Sequence, residues 1–172
     1  MTIATHTRTI EAPAADVWHV LADFAHVDLH HPAVERVSML SESQQGVGTT
    51  RICHFYDGTS ATETVTHWVE GESFRVDLSD FSMPVKRADA EMVVKADGPN
   101  RSSVTLTMNF EMKGGMLGGV AGGLVVRPMM QRMFKRVFDG LDLHVRTGAT
   151  IGKDGKPVAQ AKGKASVAAA TS

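Results

Sequence analysis

The chain has 172 residues, 42% of them hydrophobic and 22% charged, with a formal net charge of −1. Those values describe one ordinary globular domain, long enough to bury a sizeable core. They exclude the basic footprint of a nucleic-acid binder, and the single cysteine, Cys53, excludes an intramolecular disulfide framework.

Ile3 to Ile10 alternate in the manner of a first strand. The chain opens on this pattern without the basic and apolar runs of a signal peptide, so a cytoplasmic protein is expected. Pro13 suits the first position of a helix, and Asp16 would face the positive end of its dipole. Val17, Trp18, Val20, Leu21 and Phe24 then follow at helical spacing, predicting a short amphipathic helix from Pro13 to about Ala25. His26 to Pro32 is a polar, His-rich connection with room for a second short helical turn.

From there the period is two. Val34–Leu40 reads as a strand, Gly46-Val47-Gly48 as a turn, and Thr49–Tyr56 and Thr59–Val69 as a hairpin about Asp57-Gly58. Glu70-Gly71-Glu72 turns the chain into Phe74–Phe81, which Met83-Pro84 ends. Ala88, Ala90, Met92 and Val94 share one face of the next strand. Asp97-Gly98-Pro99-Asn100 leads into the last strand, where Val104, Leu106, Met108, Phe110 and Met112 alternate with polar residues. One wet and one dry face is antiparallel behaviour.

After Gly114-Gly115 the period becomes 3.6 and holds to about Arg146, with Met130, Phe134, Val137 and Leu141 on one stripe. Pro128 either kinks this helix or begins its regular part. The run Gly114–Val126 has three readings: a flexible cavity lid, an apolar patch touching a membrane, or a closely packed helix start. It is too short for a membrane span. Residues 148–172 show no periodicity, and from Ile151 onward four lysines stand against one aspartate. They read as a disordered Lys/Ala/Gly-rich tail behind a single domain of residues 1–147.

The order is therefore strand, two short helices, six antiparallel strands and one long helix. One helix does not fill the dry face of a seven-stranded sheet, so side chains or a ligand must occupy the remainder. On these elements the sequence resembles the START-like, helix-grip (SRPBCC) superfamily, in particular its polyketide cyclase/dehydrase and lipid-transport branch. The matching stretches are IEAPAADVWHVLADFAHVDLHHPAV, GVGTTR, ETVTHW, MPVKRADAEMVV and RPMMQRMFKRVFDGL, in order, across residues 3–146. That family usually carries Trp before the His-Pro of the helix–strand loop, where this chain has His30. The resemblance implies an α+β helix-grip fold: a curved seven-stranded antiparallel sheet around a long C-terminal helix, with two short N-terminal helices. It also implies a cavity between sheet and helix, without implying a reaction. Some members add a separate iron–sulfur module, for which one cysteine is too few.

On that fold, the positions expected to contact a ligand are His30, Arg51, Cys53, Phe55, Glu63, Val65, Phe74, Phe81, Met83, Met92, Met108, Phe110, Met130 and Phe134. Ten methionines suit adaptable apolar walls, and equally suit ordinary core filling. Arg51 and Glu63 stand nearly opposite in the hairpin. Facing inward, they would orient a polar ligand group or perform acid–base work; facing outward, they would be a cross-strand ion pair. Cys53 reads as a small core hydrophobe and Trp18 as a core residue. Eight histidines are present, but no HExxH, HxH or Cys pair gives a zinc pattern, so no metal and no cofactor are expected.

Three functions fit. The first is a carrier or sensor for a hydrophobic or amphipathic small molecule (lipid, isoprenoid or polyketide-like), monomeric or homodimeric and capable of transient membrane contact. The second is a cyclase/dehydratase-type enzyme using Arg51, Glu63 or His30 on a chain folded in the same cavity. The third is an interaction module pairing through a sheet edge or helix face.

Overall fold

The computed structural model describes residues 2–81, 85–112 and 116–158, without the side chains of 112–127. Seven strands form one antiparallel sheet: β1 (Thr2–Ile10), β2 (Val34–Met39), β3 (Thr50–Phe55), β4 (Ser60–Val69), β5 (Ser73–Ser79), β6 (Val85–Gly98) and β7 (Arg101–Met112). Their spatial order is β1-β7-β6-β5-β4-β3-β2, so the first strand returns to pair with the last. Helix α1 (Ala14–Ala22) and a 3-10 helix (Phe24–Leu29) separate β1 from β2, and helix α2 (Met116–Thr147) follows β7. This is the expected α+β helix-grip architecture.

Element boundaries move where local chemistry intervenes. The first helix stops at Ala22 because Asp23 leaves helical backbone (φ −73°, ψ 70°), its carboxylate instead lying 2.7 Å from His26 Nδ1. Short polar side chains compete with the helical ladder in this way. The fifth strand stops at Ser79 rather than Phe81, since Asp80 takes the left-handed region (φ 50°) that few non-glycine residues adopt. Pro128 lies inside α2 rather than at its start.

The dry face of the sheet packs against both helices in one core. Ala4 and Ile10 of β1, Val65 of β4, Phe74 and Val76 of β5, Ala88 and Val94 of β6, and Val104, Leu106 and Phe110 of β7 meet Trp18 and Leu21 of α1. Met130, Phe134, Phe138 and Leu141 of α2 complete it. A smaller cluster joins Val27, Val34 and Cys53, with Val37 and Phe55 beside it. The wet face carries the threonine pairs Thr5–Thr107 and Thr7–Thr105, whose hydroxyls bond at 3.3 and 2.9 Å. Of the run Gly114–Val126, residues 114–115 and the side chains of the remainder lie outside the described residues, and so does its packing. Met116 onward is helical.

Residues 148–158 depart from the structureless tail read in the sequence. Ile151 is fully buried, its N–H donates to the Leu29 carbonyl at 2.8 Å, and it bridges to Pro157. One well-buried isoleucine and a few backbone bonds hold this stretch without any periodic pattern. Residues 159–172 lie outside the described residues.

Candidate functional site

The hairpin register places Arg51 directly across β3–β4 from Glu63, and Glu63 across β4–β5 from Leu78. Cys53, Val65 and Leu78 lie on the same, inner, face and belong to the apolar clusters. The pair therefore faces inward. Arg51 Nε and Nη2 both donate to Glu63 Oε2, at 2.7 and 2.5 Å, and Nη1 donates to the Phe24 carbonyl. Its guanidinium carbon also lies 3.6 Å from the centre of the Phe24 ring. Arg51 is buried, whereas the Glu63 side chain retains 16% exposure. Such a charge-assisted knot ties the 3-10 helix to two strands and occupies every nitrogen of the guanidinium. Of the two, Glu63 has the capacity left over, since Oε1 receives no bond from Arg51.

Cys53 is buried beside this pair. Burial first, and the Glu63 carboxylate second, push its thiol up to about 12. A thiol so placed is not a nucleophile at neutral pH. Native protein at pH near 8 is accordingly expected to leave a disulfide-exchange reagent untouched. One thiol per chain would react once denaturant is added, read by absorbance of the released thiolate. Rapid native reaction would contradict the burial.

A second carboxylate clamp was not foreseen. Glu70 accepts the indole N–H of Trp18 (2.8 Å) at one oxygen and that of Trp68 (2.9 Å) at the other. The two rings meet edge-on at 5.2 Å, and Trp68 stacks on Phe74 at 5.7 Å. Trp18 is thus a core residue of α1, with its polar edge held by the β4–β5 turn. These two hydrogen bonds hold the Glu70 carboxyl below the usual range. No sequence motif marks it, because Trp18 reaches Glu70 only when α1 packs on the sheet beside the β4–β5 turn.

The expected ligand contacts divide by environment. Cys53, Val65, Phe74, Phe110, Met130 and Phe134 are buried among core atoms. His30 is buried too, under Gly140 of α2, and does not approach the β5–β6 end. Phe55 sits in the smaller cluster, and Met83 lies outside the described residues. Met92, Met108 and Phe81 remain half-buried against the main core, together with Leu78, Val85, Ala90 and Met133. Met92 lies toward the far end of the β5–β6 ladder, opposite Phe74, whereas Leu78, Phe81 and Val85 gather at the near end. There the β5–β6 pairing ends at Leu78↔Ala88, while β6 continues along β7 to Val85↔Met112. The strands splay, leaving a cleft of about 440 Å³ lined by Asp77–Phe81 and Val85–Ala88. Periodicity identified the face; it gave no sign of which positions on it are packed to density.

Among the described residues no group of three or more His, Cys, Asp or Glu is placed to hold a metal ion. None of their helices is long and apolar enough to cross a membrane.

The family model described as polyketide cyclase / dehydrase and lipid transport matches residues 1–146. No protein of curated function matches the sequence. Several solved structures share the fold at low identity. The Zhui aromatase/cyclase from Streptomyces sp. R1128 has a TM-score of 0.65 and 22% identity over 87% of this chain and 99% of that one. The di-domain ARO/CYC BexL of the BE-7585A biosynthetic pathway has a TM-score of 0.70 and 15% identity over 85% of this chain and 47% of that one. Ara h 8.0201 has a TM-score of 0.65 and 15% identity over 85% and 98%. With its helix-grip sheet and a family match over nearly all of the described residues, the chain belongs to the polyketide cyclase/dehydrase and lipid transport family of the START-like (SRPBCC) superfamily.

Proposed function

We propose that the domain binds a hydrophobic or amphipathic small molecule (lipid, isoprenoid or polyketide-like) against the inner face of its sheet, as a cytoplasmic carrier or sensor. One observation carries this reading. The inner face is sealed around Val65, Val104 and Phe134, yet at the splayed β5–β6 end three apolar side chains, Leu78, Phe81 and Val85, stay half-buried beside a 440 Å³ cleft. An incompletely covered apolar surface gains stability from an apolar occupant. Family membership and the aromatase/cyclase neighbours support the same ligand chemistry.

Native mass spectrometry of freshly purified protein, with an organic extract run beside it, tests the reading. A stoichiometric co-purifying lipid or aromatic is expected, or uptake of an apolar fluorophore by the ligand-free chain. Leu78→Glu is expected to weaken that uptake at least tenfold, because it places a carboxylate in the apolar wall of the cleft. A chain that carries nothing and takes up no apolar probe overturns the proposal.

The cyclase/dehydratase reading has one observation in its favour: the partly exposed Glu63 carboxylate on the inner face, with Oε1 outside the Arg51 bonds. It predicts that Glu63→Gln keeps ligand uptake and loses turnover of a polyketide-like substrate. Loss of neither assigns Glu63 to structure.

A further inference from the structure

The ordered chain continues beyond α2. Gly148 leaves the helix in the left-handed region (φ 68°), and its N–H donates to the His144 carbonyl at 2.7 Å. Residues 149–158 then turn back past Leu29, the last residue of the 3-10 helix. Ile151 N–H donates to the Leu29 carbonyl, and Val158 N–H donates to the Thr150 carbonyl, both at 2.8 Å. His144 Nδ1 lies 2.7 Å from the Ala149 carbonyl oxygen. A carbonyl only accepts, so Nδ1 carries the proton and ties the His144 ring to the start of this strap.

Beside this tie sits an unusual histidine. His30 is 5% exposed, its ring centre is 6.1 Å from that of His144, and its Nδ1 is buried with no hydrogen-bond partner. A buried imidazole of this kind is tolerable only when neutral and bearing its proton on Nε2, since the missing bond then falls on an acceptor rather than a donor. A cleft of about 130 Å³, bordered by His19, Asp23, His26 and Leu29, reaches the two rings. Gly140 closes the other side, its α-carbon so near the His30 carbonyl and Ile151 that no side chain fits.

We propose that residues 148–158 form an acid-releasable strap, opened when the buried His30 takes up a proton beside His144. Titratable and charged groups face His30 from several elements. His31 follows it in the chain, Arg51 reaches it from β3 and His144 from α2; His19 of α1 and Asp23 and His26 border the cleft. Glu63 of β4 acts on His31. Asp23 is already bonded to His26, and the strap's own charges, Lys153, Asp154 and Lys156, are exposed. Of these neighbours Arg51 carries a fixed positive charge, and burial pushes the adjoining His31 imidazole down to about 4. Burial first, then His31, His144 and Arg51, hold His30 well below its ordinary value of 6.5. The sign follows. With the folded pKa depressed, the closed strap is favoured above 6.5, and that advantage is lost as pH falls from 6.5 toward the folded value. The open form protonates at the ordinary value, so opening grows about tenfold per pH unit below it.

Amide hydrogen exchange of the whole chain, corrected for intrinsic rates, tests this. Between about pH 7.5 and about pH 5, protection at Ile151 and Val158 is expected to fall about thirtyfold. Protection at Val65 and Val94, whose N–H groups bond to the Thr49 and Glu72 carbonyls, should hold. His30→Gln should flatten the pH dependence of the strap. Should that variant fail to fold, the His30 imidazole resonances of the wild-type chain give the same answer. A strap whose protection ignores pH, or is lost in step with the core, overturns the proposal, as does a His30 that titrates without strap opening.

Discussion

Arg51→Met is expected to lower the stability of the fold by about 3–5 kcal/mol, the usual cost of removing one partner from a buried ion pair. For a domain of this size the loss corresponds to a fall in Tm of roughly 6–20 °C, measurable by calorimetry or chemical denaturation. Three interactions vanish together: the double bond to Glu63 Oε2, the bond to the Phe24 carbonyl, and the stacking on the Phe24 ring. The carboxylate of Glu63 then stays on an apolar face without a partner. The companion double variant Arg51→Met, Glu63→Leu should recover most of the loss, because apolar side chains of similar size remove the stranded charge. If the double variant is stable and still takes up an apolar probe, the pair is a fastening between the 3-10 helix and the sheet. If it is stable but inert, the carboxylate belongs to the binding or catalytic chemistry.

Gly140→Ala should cost about 2–3 kcal/mol, opposite in sign to its effect on an exposed helix, where alanine is favoured by roughly 1 kcal/mol. A methyl group there would meet the His30 carbonyl oxygen within repulsive range, with Pro32 Cδ at 3.3 Å and Ile151 Cγ2 at 3.4 Å. The oxygen is backbone, and it cannot rotate away as a side chain would. Urea denaturation of the variant gives the value directly. A stabilised Gly140→Ala chain would mean that the loop around His30 yields readily. Exchange at Ile151 should rise in the same variant, since the strap packs on this seat.

Much of the fold was legible because its signals are local and repeated. Alternation in 104–112 and the Asp57-Gly58 turn marked the strands and the hairpin and brought Arg51 nearly opposite Glu63. The exact register follows from a loop that closes from Phe55 to Thr59 over Tyr56, Asp57 and Gly58, one residue longer than the two-residue turn. The helical stripe Met130, Phe134, Val137, Leu141 gave the buried side of α2, confirmed by all four being buried. The inward direction of the ion pair bears no mark in the sequence, since alternation distinguishes two faces without saying which one a charged residue joins. The Glu70 clamp on Trp18 and Trp68, the Phe24 carbonyl bonded by Arg51, and the packing of Ile151 bear no pattern. Each joins residues far apart in the chain.

By itself the sequence determined the periods, the turns and hence the order of seven strands and one long helix, because hydrophobic spacing and glycine conformations are properties of neighbouring residues. Tertiary structure alone decided which inner-face positions are packed and which stay half-buried at the splayed β5–β6 end. It also decided that His30 is buried beside His144, next to the strap. Packing density, desolvation and hydrogen-bond satisfaction depend on atoms that residues distant in the chain bring together.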